Sequence, residues 1–453
     1  MSLPLPPQLL QRLESAAGFN RSAFVAVHAS GKQVTSIRLN EEKWNHLFPF
    51  FELEAQVPWC PSGWYLSQRP SFIHDPLIHA GVYYVQEASS MFLHRALEAI
   101  RPLLTGPARI LDLCAAPGGK TTLLSSFFVN DLVISNEINR SRSNVLFENV
   151  TKWGNDNIVV TNNDPSDFKI LKGFFDVIVI DAPCSGSGLF RKDPSAIEEW
   201  SQENVNHCSQ RQKRIIADIL PCLKQHGFLI YSTCSYSPEE DENISDWLVG
   251  DFDLETVEVD VDAGWNVVST ASAKEKAFGY RFYPDRLEGE GFYLAVFQKK
   301  EGTEFSARPR RPSRVSKGEA EAVMKWVNAR DLVLLPQQEN ILAIKERWVE
   351  DLLHLQEVLY LKKAGITVGA VKNGSLVPSH ELAMSHYVSD GINAIEVNRE
   401  QAVQYLKKKD MMLDCSAKGW NVIKYQGVNL GWIKNLHNRV NNYYPSEWRL
   451  LKD

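Results

Sequence analysis

The chain has 453 residues, which at roughly 150 residues per domain leaves room for about three domains. Hydrophobic residues make up 44% and charged residues 23%, a balance that excludes a disordered chain and supports several buried cores. With 49 Lys+Arg against 55 Asp+Glu the formal net charge is −6, which excludes a protein held to nucleic acid by net charge alone and leaves a local basic face open.

The chain begins Met1-Ser2-Leu3-Pro4-Leu5-Pro6-Pro7, without the basic and apolar segments of a secretory signal. Its longest apolar runs, such as Val177–Ile180, are too short for a bilayer. A cytoplasmic protein with no membrane partner is expected. Residues 1–75 predict a small α+β module, with a helix over Gln8–Ala16 and strands over Phe24–Val27 and Thr35–Leu39. From 76 to 300 strands alternate with helices: strands over Ala108–Leu113, Leu132–Ser135, Ile158–Thr161, Phe174–Ile180, Gly227–Tyr231 and Phe292–Gln298, and helices over Ser141–Lys152 and Ser209–Lys224. That alternation predicts a doubly wound α/β sheet, parallel for the most part. Residues 301–318 are rich in Pro and charge, with Arg308, Arg310, Arg311 and Arg314, and read as a basic linker. Residues 319–453 predict helices over Glu319–Ala329 and Glu339–His354, then short strands with Gly turns.

Three motifs carry chemistry. The first runs Asp112-Leu113-Cys114-Ala115-Ala116-Pro117-Gly118-Gly119-Lys120-Thr121. It is a strand ending in a small-residue turn that opens a helix, a place where backbone can approach a ligand. Gly119-Lys120-Thr121 suggests a P-loop, but Cys114 stands where that motif needs its first Gly. Glu137 ends the next strand, at about the distance where an acid meets ribose hydroxyls, and Asp164 follows the strand after that. Either acid alone reads equally as a helix cap. The second motif is Asp181-Ala182-Pro183-Cys184-Ser185-Gly186, and the third is Ser232-Thr233-Cys234-Ser235. Each places a cysteine just past a strand's C-terminal end, where open α/β sheets hold their ligands. The seven cysteines form no C-x-x-C pair, so neither a zinc ribbon nor a disulfide framework is read, and no metal is expected. A thiolate that adds to C6 of a pyrimidine turns C5 into a carbon nucleophile able to accept a methyl group. An acid beside the base can hold its N3/N4 edge.

These motifs resemble the Sun/Nop family of RNA cytosine-5 methyltransferases. Tyr84-Val85-Gln86-Glu87-Ala88-Ser89-Ser90-Met91, Arg281-Phe282-Tyr283-Pro284 and Gly291-Phe292-Tyr293 extend the likeness. The resemblance implies a Rossmann-like methyltransferase core and S-adenosylmethionine as cofactor. It implies that Cys114, Ala115, Ala116, Pro117, Gly118, Gly119 and Lys120 line the methionine and ribose end. Glu137 would hold the ribose, Asp164 would face the adenine, and Asp181 would lie by the methionine and the target base. It implies Cys234 as nucleophile, Cys184 in product release and Lys120 in support of Asp181. Two positions depart from the family: Asp241 stands for the usual Asn, and Asp285 for the usual His. Both read as peripheral to methyl transfer.

Asn429-Leu430-Gly431-Trp432-Ile433-Lys434 and Asn441-Asn442-Tyr443-Tyr444-Pro445 resemble the tail of RsmF (YebU) type enzymes. That implies a C-terminal α+β PUA-like RNA-binding extension and 16S ribosomal RNA or the small subunit as partner, with no DNA and a monomeric chain. Lys434, Arg439, Trp432, Tyr443 and Tyr444 interleave cations with aromatics, a pattern suited to phosphate contact and base stacking. Alternatives are a transfer RNA or 23S substrate, Cys184 as nucleophile, an amino-group methyltransferase, or a non-catalytic assembly factor.

Overall fold

A computed structural model describes residues 4–44, 49, 51–306, 310–328, 331–411, 413, 417–436 and 438–451. Arg308 and Pro309 of the linker, Ala329 and Cys415 lie outside the described residues.

The centre is a sheet built from β1 (Arg109–Asp112), β2 (Leu132–Asn136), β3 (Ile158–Thr161), β4 (Phe175–Asp181), β5 (Leu223–Thr233), β6 (Leu254–Val257), β7 (Val268–Ala271), β8 (Phe278–Phe282), β9 (Phe292–Lys299) and β10 (Leu361–Ala364). The spatial order is β7-β8-β9-β5-β4-β1-β2-β3-β10, with β6 also on β9. β3, β2, β1, β4 and β5 run parallel, and β9 returns antiparallel beside β5. The parallel strands are buried on both faces. Leu111, Ile134, Ile178, Ile180 and Leu229 pack against Ile215, Ile216 and Ile219 of the helix Gln202–Ile219. Ile110, Val133, Val177, Val179 and Ile230 pack on the other side, against Leu93, Leu97, Leu123 and Leu124. Each such side chain contributes roughly 1.5–3 kcal/mol when fully buried, so this core fixes the register of every strand end that bears a motif.

The N-terminal sheet orders Leu53–Gln56, Gly63–Leu66, Thr35–Leu39 and Tyr83–Val85, so it reaches past the expected limit at 75. Phe24–Val27, expected as a strand, lies within the helix Arg21–Ala29, whose first turn is capped by the Asn20 side chain. The expected helix at 209–224 starts at Gln202, capped by Ser201, and stops at Ile219. Pro221 follows that end, and a proline cannot continue a helix. Glu339–His354 is half a hairpin: Leu332–Gln337 pairs with Asn340–Lys345, and the helix begins only at Val349. Helix Lys317–Met324 covers part of the stretch expected from 319.

Residues past 319 form two further four-stranded sheets. They are not a free appendage. β10 adds to the edge of the central sheet, antiparallel to β3, with Leu361 opposite Thr161. Leu335, Leu342, Trp348, Leu352 and Leu355 join the same core as the parallel strands. Among the described residues no helix is long and apolar enough to cross a membrane.

Candidate active site

All three motifs end parallel strands at one edge of the sheet. β1 leads into Leu113–Gly118, β4 ends on Asp181 and β5 ends on Thr233. Asp181 and Ser232 are register partners on neighbouring strands, so the two cysteine loops start side by side.

Two cavities open at this edge. One, of about 240 Å³, is lined by Cys114, Asn136, Glu137, Ile138, Arg142, Pro165, Pro183, Cys184, Arg211 and Arg214, among others. The other, of about 340 Å³, is lined by Tyr84, Gln86, Glu87, Ser90, Ala115, Pro117, Gly119, Lys120, Gly291 and Phe292, among others. Cys114, Ala116, Asp181, Leu189 and Cys234 line both. They form the junction of a two-chambered cleft.

The first turn is shaped by its backbone. Gly118 has φ +114° and caps the helix Gly119–Phe127, a conformation costly for any residue with a Cβ. Gly118 lines neither chamber; it turns the chain so that its neighbours do. Beneath the turn, Asp112 is buried and accepts a 2.7 Å hydrogen bond from Thr121 Oγ1. Burial pushes its pKa up to about 7. Burial also pushes the Cys114 thiol well up.

Glu137 is buried; it accepts from the Asn139 N–H at 2.8 Å and faces Arg142 Nη1 at 3.4 Å. Arg142 Nη2 donates to the Ala116 carbonyl at 2.6 Å, tying the two halves of the first chamber together. Sequence reasoning passed over Arg142, Arg211 and Arg214. An arginine in the first turn of the helix Arg140–Trp153, just past Glu137, was the available signal for Arg142. Asp164 lines neither chamber. Its carboxylate accepts from the Ser166 N–H at 2.9 Å in a capping box with Asp167, and those bonds hold its pKa below the usual range. Its neighbour Pro165 forms the wall instead.

Lys120 Nζ lies 2.8 Å from Asp181 Oδ2, and Ser232 Oγ donates to Asp181 Oδ1 at 2.9 Å. The lysine also sits over the Phe292 ring, 5.2 Å from its centroid. Cys184 Sγ and Cys234 Sγ are 3.1 Å apart. The Cys184 thiol is held well above the ordinary cysteine range, first by its hydrogen bond to Cys234 and then by burial. Either sulfur can be the donor in that contact, and the upward shift favours the neutral thiol at Cys184.

The segment after Cys234 is pinned from several sides. Arg281 Nη1 donates to the Tyr236 carbonyl at 2.9 Å, Nε to Glu242 at 2.6 Å, and Nη2 lies 3.2 Å from Asp241. Asp241 is fully buried and accepts from Thr233 Oγ1 at 2.6 Å. It is not peripheral, because it holds the residue before Cys234. Asp285 is half-buried and lines neither chamber.

In the C-terminal sheet Trp432 and Tyr444 are 0% and 1% exposed, so neither can stack on a base, contrary to expectation. Trp432, in the strand Val428–Asn435, packs in one cluster with Val323 and Leu382, and Tyr444, just past the strand Val440–Asn442, packs in another with Tyr405 and Leu430. Trp420, which sequence reasoning passed over, contacts Tyr443 at 4.4 Å and lies under Lys434 at 5.3 Å. The linker's Arg310 pairs with Glu357 at 2.7 Å.

Residues 104–298 match the family model described as 16S rRNA methyltransferase RsmB/F. Residues 5–88 match the N-terminal domain of 16S rRNA methyltransferase RsmF, and 392–450 match the methyltransferase RsmF PUA domain. Ribosomal RNA small subunit methyltransferase F of Aliivibrio fischeri (strain ATCC 700601 / ES114) is 31% identical over 431 residues, 92% of this chain and 88% of its own. The protein of the same name from Psychromonas ingrahamii is 29% identical over 450 residues, 93% and 90% of the two chains. A methyltransferase homolog protein from Pyrococcus horikoshii aligns with TM-score 0.51 and 26% identity, over 65% of this chain and all of its own. NSun6 from the same organism, solved with SFG, aligns with TM-score 0.51 and 18% identity over 66% and 99%, a likeness of fold.

Proposed function

The chain belongs to the RsmF family of small-subunit ribosomal RNA methyltransferases, and we propose that it methylates C5 of a cytosine in 16S ribosomal RNA, with S-adenosylmethionine as donor and Cys234 as nucleophile. The observation that carries this reading is the junction: Asp181 and Cys234 stand between two chambers, one fit for a nucleoside-bearing cofactor and one for a base, with Cys184 3.1 Å from Cys234.

The first chamber suits the donor by its chemistry. Glu137 offers acceptors for ribose hydroxyls, and Ile138 and Pro165 offer apolar walls for a purine. Cys114 and Ala116 at the junction, with Ala115, Pro117, Gly119 and Lys120 on its second-chamber side, would hold the methionine end, and Asp164 precedes Pro165 without lining either chamber. When bound, S-adenosylmethionine supplies an electrophilic methyl group. The remaining work falls to this chain. A target base must leave its stack to reach the second chamber. Phe292 and Tyr84 line that chamber with aromatic surface. Asp181, held by Lys120 and Ser232, would accept from the N4 amino group and, as an acid, would pass a proton to N3 as negative charge builds on the ring. Cys234, its proton lost to solvent, adds to C6 as the thiolate, and C5 takes the methyl group as the donor's S–CH3 bond breaks with its electron pair to sulfur. The C5 proton then leaves to water, the C5–C6 double bond re-forms, and the C6–S bond breaks with its electron pair to sulfur. Cys184, one hydrogen bond away and still protonated, stabilises that departing thiolate. Trp420, Tyr443 and Lys434 support an RNA contact outside the cleft.

The test is labelled methyl transfer to unmethylated small ribosomal subunits, followed by nucleoside analysis. Label in 5-methylcytidine is the expected result. Label in an amino-methylated nucleoside, or none on any ribosomal or transfer RNA, would overturn the proposal.

A further inference from the structure

Glu240 lies six residues past Cys234 and lines neither chamber, yet it touches both cysteine loops. It is fully buried. Its Oε1 accepts from the Ser185 N–H at 2.8 Å and from Gln212 Nε2 at 3.3 Å. Its Oε2 accepts from the Ser185 hydroxyl and from the Ser235 hydroxyl, both at 2.6 Å. Ser185 and Ser235 are the residues immediately after Cys184 and Cys234. Gln212 extends the same network by donating to the Pro183 carbonyl at 3.1 Å, on the other side of Cys184. One carboxylate therefore bridges the two loops, and no other side chain among the described residues bonds to both Ser185 and Ser235.

A buried carboxylate is costly unless its acceptor sites are filled. Here four donors fill them, and three of the four belong to the residues that follow the cysteines. The bonds to Ser185 are the more numerous, a backbone N–H and a hydroxyl, so the loop that carries Cys184 depends on Glu240 more than the loop that carries Cys234. The latter has a separate support in the Thr233–Asp241 bond, while the Gly188 N–H to Cys234 carbonyl bond and a 3.4 Å contact between the Ser185 and Ser235 hydroxyls tie the two loops directly.

We infer that Glu240 is a positioning residue for the release step, holding the Cys184 thiol against Cys234 Sγ while the methylated base departs. This rests on the proposed cytosine-5 reading. Loss of Glu240 leaves Cys234 able to add to C6 and the methyl group able to transfer. It removes the hydrogen bond that helps the C6–S bond break as the C5 proton passes to water.

The experiment compares wild type, E240A, E240Q, S185A and C184A, each checked for folding by thermal unfolding. Two quantities are read with S-adenosylmethionine present: covalent adduct on RNA carrying 5-fluorocytosine, where fluorine replaces the C5 proton and cannot leave as a cation, and steady-state turnover on ordinary RNA. E240A is expected to form the fluorocytosine adduct nearly as wild type does. Its turnover should fall at least about tenfold, as a misplaced group at a reacting centre does, and adduct should accumulate on ordinary RNA as in C184A. E240Q keeps one acceptor oxygen and is expected to recover part of the turnover. S185A removes a single hydroxyl bond and must shift the ratio of adduct to turnover in the same direction, which keeps the test valid if E240A does not fold. Parallel loss of adduct formation and turnover in the folded variants overturns the inference, as does unchanged turnover. A wild type that forms no fluorocytosine adduct overturns the cytosine reading itself.

Discussion

Replacing Gly188 by alanine strains the cleft through its backbone. A Cβ at 188 would stand 2.4 Å from the Gly291 carbonyl oxygen and 2.8 Å from that of Cys234. Both are backbone atoms, so no side chain can rotate away. The contact to Gly291 must open by more than half an ångström, and the bonds from Gly188 N–H to Cys234 O (2.9 Å) and from Gly291 N–H to Gly188 O (3.2 Å) are strained or lost. Overpacking of this kind costs about 1–3 kcal/mol, and each lost hydrogen bond about 1 kcal/mol. The stiffer unfolded chain returns only about 0.4–1 kcal/mol. The clash wins, leaving a net destabilisation of roughly 2–4 kcal/mol. Because the Cys234 peptide itself is displaced, single-turnover methyl transfer should fall by up to about 100-fold. Urea unfolding and rapid-quench transfer measure the two effects. A variant with unchanged midpoint and unchanged transfer rate would refute the claim that this backbone contact sets the position of Cys234.

Arg142→Ala removes the donor to the Ala116 carbonyl and the partner of Glu137. It should raise KM for the cofactor about tenfold or more with little change in stability, since the guanidinium is largely exposed; an unchanged KM argues against the role. Asp112 binds its proton more tightly folded than unfolded, with a pKa of about 7 against the usual carboxylate value. The folded state thus binds more protons between those two values, and this group's contribution falls as pH rises through that window. Asp112→Asn should therefore gain stability relative to wild type on going from pH 5 to pH 8, read from urea midpoints; a constant difference would contradict the burial argument. Arg281→Met strips the buried Asp241 and Glu242 of their cation and should cost about 3–5 kcal/mol; a loss under 1 kcal/mol, on the scale of an exposed pair, would show that the pair is not load-sharing. Trp420→Ala should weaken RNA binding by about 1–3 kcal/mol if a base stacks there, while leaving stability near wild type, and equal binding would remove that surface from the account.

The parallel strands were readable because burial on both faces leaves uninterrupted apolar runs, such as Val177–Ile180. Their ends then located Cys114, Asp181, Cys184 and Cys234 at one sheet edge. Local pattern misled where a short run fits two periods. Phe24–Val27 is a short apolar run that reads as a strand, but only Phe24 is buried and the Asn20 cap makes it helical. Ile341–Ile344 is an apolar run too short for its period to tell helix from strand, and the apolar run Leu332–Leu335 before Gln338 and Glu339 is its hairpin partner. The departure at Asp241 was underestimated because its importance lies in a long-range contact with Arg281, and nothing in the nearby residues announces that contact. The same holds for Trp432 and Tyr444: an aromatic beside a cation looks alike in sequence whether it faces RNA or the core. The docking of β10 on β3 joins residues far apart in the chain, and neither strand alone encodes its partner.

The central claim is that Cys234, at the meeting point of the two chambers, forms the bond to the base. Wild-type protein is incubated with 5-fluorocytosine-containing small-subunit RNA and S-adenosylmethionine, the adduct is digested, and the modified peptide is sequenced by mass spectrometry. The account predicts the nucleotide on Cys234, with no adduct in C234A and a persistent one in C184A. A nucleotide attached to Cys184, or an adduct that survives C234A, would contradict it.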